Sequence, residues 1–410
     1  MNWHSARPRR RRDAAARAER GLDFLNLFVA NIQTGFGPFI AVYLTTQGWT
    51  QTAIGIALSL STTTAMASQL PAGALVDAAR RKSHVAGLAI ASFAASALLF
   101  ALWPVPAAIY SAEILHGFSS CMLGPAIAAM SLAIVGRTEL GLRLGRNARY
   151  ASLGNGVGAA LMGACGYYLS GRSVFFLTAA LTLPALLSLV PLSRLPAVAP
   201  PKPRAGNAPP KRERFWRVLA DRRLVIFAAC AMLFTLANAA MLPLAGIALT
   251  KRAGSQSSLL IAACIVLPQF VIAVISPSIG RLAEAQGRRA VLLLGFSMLP
   301  LRGLLFALVT DPAVVVLVQA LDGIAGACIG VAVPLITSDV AARSGHFNLS
   351  LGLVGFAIGL GDALSTTLGG WSADHFGDRT AFAALAALGL AAVLFVWGVM
   401  PETRPARAEA

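Results

Sequence analysis

The chain has little charge and even less acid. Of 410 residues only 12% are Asp, Glu, Lys or Arg, with 17 acids against 34 bases, while 57% are apolar. That leaves too few polar groups to coat a water-soluble globule of this length, which excludes an ordinary soluble domain. Five cysteines, at Cys121, Cys165, Cys230, Cys264 and Cys328, form no C-x-x-C and no Cys/His cluster, so neither a structural zinc site nor a disulfide framework is indicated. G-x-S-x-G, H-E-x-x-H and Walker A patterns are absent, and no polar domain is present to carry one, so an enzyme and an ATP-driven machine are both disfavoured and no cofactor is implied.

What is abundant is apolar sequence in long runs. A helix crossing ~30 Å of hydrocarbon needs ~20 such residues, with all its backbone groups paired internally. Twelve stretches qualify, at residues 21–46, 51–77, 84–103, 107–134, 149–170 and 173–193, then 224–249, 257–280, 290–309, 313–336, 350–371 and 379–400. The expected fold is an all-α membrane protein of two six-helix bundles, 21–194 and 224–401. They are flanked by a basic tail (1–20) and a short tail (402–410), and joined by a Pro-rich tether (195–223).

The two sixes are copies. Gly73-Ala-Leu-Val-Asp77-Ala-Ala-Arg80-Arg81-Lys82 returns 207 positions later as Gly280-Arg-Leu-Ala-Glu284-Ala-Gln-Gly287-Arg288-Arg289. The same offset pairs Gly154 with Gly361, Gly163 with Gly370, Arg172 with Arg379, Phe175 with Phe382 and Asn31 with Asn238. With the N-terminus placed inside, 29 Lys and Arg fall in inner segments and four (Arg172, Lys251, Arg252, Arg379) in outer ones. This positive-inside bias sets both termini in the cytoplasm. It also accounts for the basic tail as a rim facing anionic lipid, so nucleic acid is not the expected partner. Thirty Arg against four Lys, with abundant Ala, resembles a high-GC bacterial genome and points to a bacterial inner membrane.

The duplicated loop, with Gly, an acid four residues on and a basic end, resembles the major facilitator superfamily over residues 21–401, with Arg80 in place of one family glycine. The resemblance implies a secondary transporter, self-sufficient as a monomer, taking a small-molecule substrate and protons across the lipid bilayer. It further implies that the loops form a latch on one conformation, through Gly73, Asp77, Arg81 and Lys82 and through Gly280, Glu284, Arg288 and Arg289. The other reading of these loops is a polar turn that only sets topology.

Charges at the midplane are costly, so those present require a reason. His116, Arg302, Asp322 and Asp362 all lie about eight or nine residues from the outer ends of their spans, ~13 Å deep at helical rise. Glu113, His116 and Ser120 share a helix face, and Glu113-Ile-Leu-His116-Gly117 is mirrored by Gln319-Ala-Leu-Asp322-Gly323. The family places the first, fourth, seventh and tenth helices around the cavity. The resemblance therefore makes Glu113, His116, Gln319 and Asp322 cavity-facing, with Asn31, Asn238, Gln33 and Thr34 joining them. With the shared depth of Asp362 and Arg302, the proton-coupling candidates are Glu113, His116, Asp322 and Asp362. The substrate candidates are Asn31, Gln33, Thr34, Ser120, Asn238, Gln319 and Arg302, although family helices of Arg302's rank are peripheral. Arg302 is equally well read as a structural partner of Asp322 or Asp362, and Asn31 and Asn238 as interhelical hydrogen-bond donors. Asp23 reads as a helix-end charge, and Asp374, His375 and Asp378 as an outer loop facing water. Glu113-x-x-His116 is half of a metal-binding carboxylate signature, but the mirror does not complete it, so no metal is expected.

Relatives exchanging protons for drugs carry an Arg where this chain has Glu113, so that residue's role is not carried over. The exporter-type glycine pattern of the fifth span survives at Gly154, Gly158 and Gly163, with Ala159 and Met162 replacing a proline and a glycine. The expectation is proton-coupled efflux of a small organic solute. Uptake symport of a sugar, organic acid or siderophore-like solute is the alternative, and a non-transporting receptor or scaffold a remote one.

Overall fold

The computed structural model describes residues 6–79, 81–135, 140–193, 221–344 and 347–403, and among them every regular element is helical. The body of the tether at 195–223, Arg80 and the end of the C-terminal tail lie outside the described residues. In chain order the helices are α1 (Ala6–Thr34), α2 (Pro38–Thr46), α3 (Gln51–Ala78), α4 (Lys82–Leu102), α5 (Pro106–Val135), α6 (Leu140–Tyr168), α7 (Gly171–Ser188) and α8 (Val190–Ser193). They continue as α9 (Arg222–Asn238), α10 (Met241–Ala253), α11 (Ser257–Gln286), α12 (Arg288–Leu308), α13 (Pro312–Val318), α14 (Ala320–Ser344), α15 (Phe347–Phe376) and α16 (Asp378–Val399). Ten spans among the described residues are long and apolar enough to cross a bilayer. The remaining two of the expected twelve, α3 and α6, have 28 and 29 residues, so they are long enough, but they are diluted by Ser, Thr and Gln or by Arg143, Arg146 and Arg149.

Several spans are broken rather than continuous. Gly37, at φ +73°, and Pro38 separate α1 from α2, because the first adopts a left-handed turn and the second starts a helix without needing its missing N–H. Its counterpart in the second repeat is a shorter interruption at Ala239 and Ala240, between α9 and α10, and the tenth span is interrupted at Gln319. Each break falls beside residues expected in the site: Asn31, Asn238 and Gln319. Side chains such as Leu183, Leu187, Phe270 and Trp397 are more than 60% exposed, a solvent-facing apolar coat that only lipid satisfies.

Grouped by internal contacts, the chain forms two units, one of residues 1–40 and 63–203 and another of 41–62 and 204–410. Within the first, α1 packs on α6 and α7, and α4 on α5 and α7. Within the second, the repeat-related pairs recur: α9 on α15 and α16, and α12 on α14 and α16. Core aromatics follow the same duplication. Phe100 stacks on Phe175 at 4.9 Å, and their equivalents Phe306 and Phe382 meet at 5.3 Å.

Glycine sets the closest crossings. A Cβ on Gly154 would strike the Leu27 carbonyl of α1, and one on Gly361 the Met232 carbonyl of α9, so each repeat closes its crossing on bare backbone. The segment 41–62 is tied into the second unit in the same way, with Gly55 against the Thr366 backbone and Gly370 against that of Gln51.

Overpacking such a contact costs ~1–3 kcal/mol. Gly154→Ala and Gly361→Ala are each expected to lower the melting temperature of the purified protein in detergent. Gly156→Ala, at a position with open space around it, is expected to leave it unchanged.

Candidate functional site

The second unit holds a polar cluster built on a buried guanidinium. Arg302, on α12, is 1% exposed, and its guanidinium is the only cation there among the described residues. Nη1 donates to Asn238 Oδ1 (2.6 Å) and to Asp322 Oδ1 (2.7 Å), and Nη2 donates to Gln319 Oε1 (2.7 Å). The guanidinium also lies 5.4 Å from the Phe306 ring centre. Three of its partners come from the interrupted seventh and tenth spans, where a broken helix turns polar groups inward at depth. Of the two acids open to Arg302, the structure selects Asp322. Asp362 is taken instead by Thr62, whose Oγ1 donates at 2.6 Å, and Ser59 bonds one turn away with the Ala363 carbonyl, Thr366 and Thr367.

The first unit is built on the same plan with different chemistry. The position equivalent to Arg302 is Ser96, which spends its hydroxyl on the Ala112 carbonyl at 2.7 Å. Glu113 is therefore fully buried without a guanidinium. Its Oε2 lies 3.2 Å from His116 Nδ1, and its Oε1 has no hydrogen-bond partner among the described residues. The His116 ring stacks on Phe36, 4.1 Å between centres, from the break between α1 and α2. Nearby on α1, Asn31 donates to the Leu27 carbonyl at 2.9 Å and its amide packs on Gly158, while Thr34 donates to Asn155 at 3.2 Å. Gln33 is exposed and Ser120 half-buried.

The two repeated loops lie at the C-terminal ends of α3 and α11. Gly73 and Asp77 lie in the last turns of α3, but their side chains are outside the described residues; Arg81 precedes α4, and Lys82 Nζ bonds the Val76 carbonyl. In the second copy, Gly280 has open space around it. Buried Arg288 gathers Asp339 (3.0 Å), Glu284 (3.2 Å) and the Ala283 carbonyl (2.9 Å). Arg289 reaches the Trp397 carbonyl. Glu402 accepts from the backbone N–H groups of Arg288 (2.9 Å) and Arg289 (3.1 Å), capping α12.

Three expectations need correction. Asp23 is no free helix-end charge: it is buried and bound by Arg143 and Arg146 on α6, each at 2.5 Å. Arg143, Arg146 and Asn147 share one helix face, a spacing that the sequence does carry. Asp374 does not simply face water. It accepts the N–H of Gln51 (3.0 Å) and both the N–H and hydroxyl of Thr52 (2.6 Å each), so it caps α3. Asp378 takes the Gln51 side-chain amide at 3.0 Å and lies 3.8 Å from Lys251.

A duplicated set of spanning helices, each repeat carrying a buried polar cluster at midplane depth, defines a multi-pass membrane transporter. The Major Facilitator Superfamily model matches residues 22–267 and 228–410, and the chain belongs to that family. It is 36% identical over 400 residues to an uncharacterized MFS-type transporter of Mycobacterium tuberculosis strain H37Rv, covering 94% of each chain, and equally to that of strain CDC 1551. Among solved structures it resembles a variant of the nucleoside transporter NupG (TM-score 0.80, 14% identity, 94% of this chain and 100% of that one). A POT family transporter in complex with 5-aminolevulinic acid is also similar (TM-score 0.76, 12% identity, 93% and 95%). At these identities the likeness establishes the fold.

Stranding the guanidinium should be costly: truncating one partner of a buried ion pair typically loses ~3–5 kcal/mol, whereas removing both recovers much of it. Asp322→Ala is expected to destabilise the protein strongly, and Arg302→Met with Asp322→Ala to be markedly more stable than Asp322→Ala alone, as measured by thermal unfolding in detergent.

Proposed function

We propose that this protein is a proton-coupled secondary transporter that exports a small organic solute by alternating access. The halves 21–194 and 224–401 rock about a midplane site, and the tether 195–223 joins them on the cytoplasmic side. It acts as a monomer in a bacterial inner membrane with both termini inside.

The observation that carries proton coupling is the state of Glu113. Asp322 is bonded to a permanent cation, Arg302, at 2.7 Å. Glu113 is buried with an imidazole at one oxygen and nothing at the other. Among the described residues no fixed cation pairs with it; Asp362 also has none but is held by the Thr62 hydroxyl, whereas Glu113 Oε1 has no partner. Loading a proton there removes a buried charge and lowers the cost of closing the protein around substrate. Release to the other side restores the charge and resets the cycle. His116, three residues on and one helical turn away, is suited to hand the proton on.

Export rests on Gly154, Gly158 and Gly163, the surviving part of the exporter-type glycine pattern. Buried Met162, where that pattern has a glycine, favours the second reading, uptake by symport. In inverted membrane vesicles, a panel of ethidium, uridine and a dipeptide, each with and without a protonophore, separates the two by the direction of accumulation. For whichever compound moves, Glu113→Gln is expected to abolish dependence on the pH gradient and to slow gradient-driven transport at least tenfold. Wild-type transport indifferent to the protonophore, or full gradient dependence in Glu113→Gln, would overturn the coupling.

A further inference from the structure

The Arg302 cluster fixes more than its own stability. A guanidinium has donors only, so any amide or carboxylate bonded to it must turn an oxygen towards it. Arg302 Nη1 holds Asn238 Oδ1 at 2.6 Å and Asp322 Oδ1 at 2.7 Å. Two oxygens on one nitrogen place the two side chains side by side. The Asn238 amide is thereby oriented with its NH₂ directed away from Arg302, and Asp322 keeps its second oxygen, Oδ2. Neither of these atoms has a hydrogen-bond partner among the described residues, and neither belongs to the buried unsatisfied atoms. The Asp322 side chain is 25% exposed. Gln319 differs: it is fully buried, and its Nε2 is enclosed without a hydrogen-bond partner among the described residues rather than open to a ligand. The open face of the cluster is therefore one N–H donor beside one carboxylate acceptor.

Charge narrows what fits. The Arg302–Asp322 pair is neutral as a unit. A cation approaching Oδ2 meets a guanidinium bonded to the same carboxylate, and an anion approaching the Asn238 amide meets the carboxylate. A neutral group offering an acceptor and a donor side by side satisfies both atoms without burying a new charge.

We propose that Asn238 Nδ2 and Asp322 Oδ2 form a substrate subsite for a neutral amide edge, a carboxamide, lactam or cyclic imide, with Arg302 as the positioning residue that sets its polarity. The substrate's carbonyl accepts from Asn238 and its N–H donates to Asp322. This rests on the reading of the chain as a solute transporter but not on its coupling or direction, and binding measured without a gradient tests it apart from them.

Purified full-length protein in detergent is titrated calorimetrically with three matched probes: 1-naphthamide, 1-naphthoate and 1-naphthylmethylammonium. Wild type is expected to bind the carboxamide at least tenfold more tightly than either charged probe. Asp322→Asn, close to isosteric, is expected to turn its oxygen to Arg302 and present NH₂ instead. That replaces the acceptor by a second donor, weakening naphthamide at least tenfold and strengthening naphthoate. Asn238→Leu should weaken naphthamide without improving naphthoate. Tightest wild-type binding of the ammonium or of the carboxylate, binding of no probe, or an unchanged preference in Asp322→Asn would each overturn the proposal.

Discussion

Hydrocarbon provides no partner for a polar group, and this one constraint arranges the interior. Each buried hydrogen-bonding atom must find its complement inside the protein or be left for a ligand or proton to complete. Around Arg302 three side chains from two other spans supply acceptors for both Nη atoms, while Arg302 Nε and Gln319 Nε2 stay unpartnered among the described residues. In the first repeat the equivalent residue is Ser96, no cation arrives, and Glu113 is left with one bonded oxygen. The duplication thus keeps position while dividing the labour: one copy has a fixed charge pair, the other an acid with no cation against it among the described residues. A cluster that stays paired is suited to recognition, and one that does not is suited to exchange.

Much of this was legible in the residues. The expected spans coincide with helices, because runs of apolar residues and the Gly and Pro between them dictate both length and ends. Span depth puts Arg302 and Asp322 in one layer, and the repeat pairs Gln319 and Asp322 with Glu113 and His116, and Asn238 with Asn31. Which acid Arg302 would take was not legible. Asp322 and Asp362 have the same depth, and the choice depends on Thr62 occupying the latter, a partner 300 residues away. Nor were the caps. An acid near a span end looks the same in sequence whether it meets water or a helix terminus, and Asp23 and Asp374 were misread for that reason. Their partners, Arg143 and Thr52, are separated from them by 120 and 322 residues.

Those caps share a logic. Asp374 sits at the first turn of α3 and Glu402 at the first turn of α12, each a carboxylate on exposed N–H groups at the positive end of a helix dipole. A chain with only 17 acids places several of them where backbone donors, rather than bases, are the partners.

The grouping of residues 41–62 with 204–410 has a consequence for heredity. The sequence repeats as two halves, yet contacts cut across the repeats: Gln51 and Thr52 of the first meet Asp374 and Asp378 of the second. The two copies can no longer drift independently. A chimera splicing one half to that of a distant cousin inherits a capping carboxylate without its helix end, or the reverse, unless the outer part of α3 travels with α15.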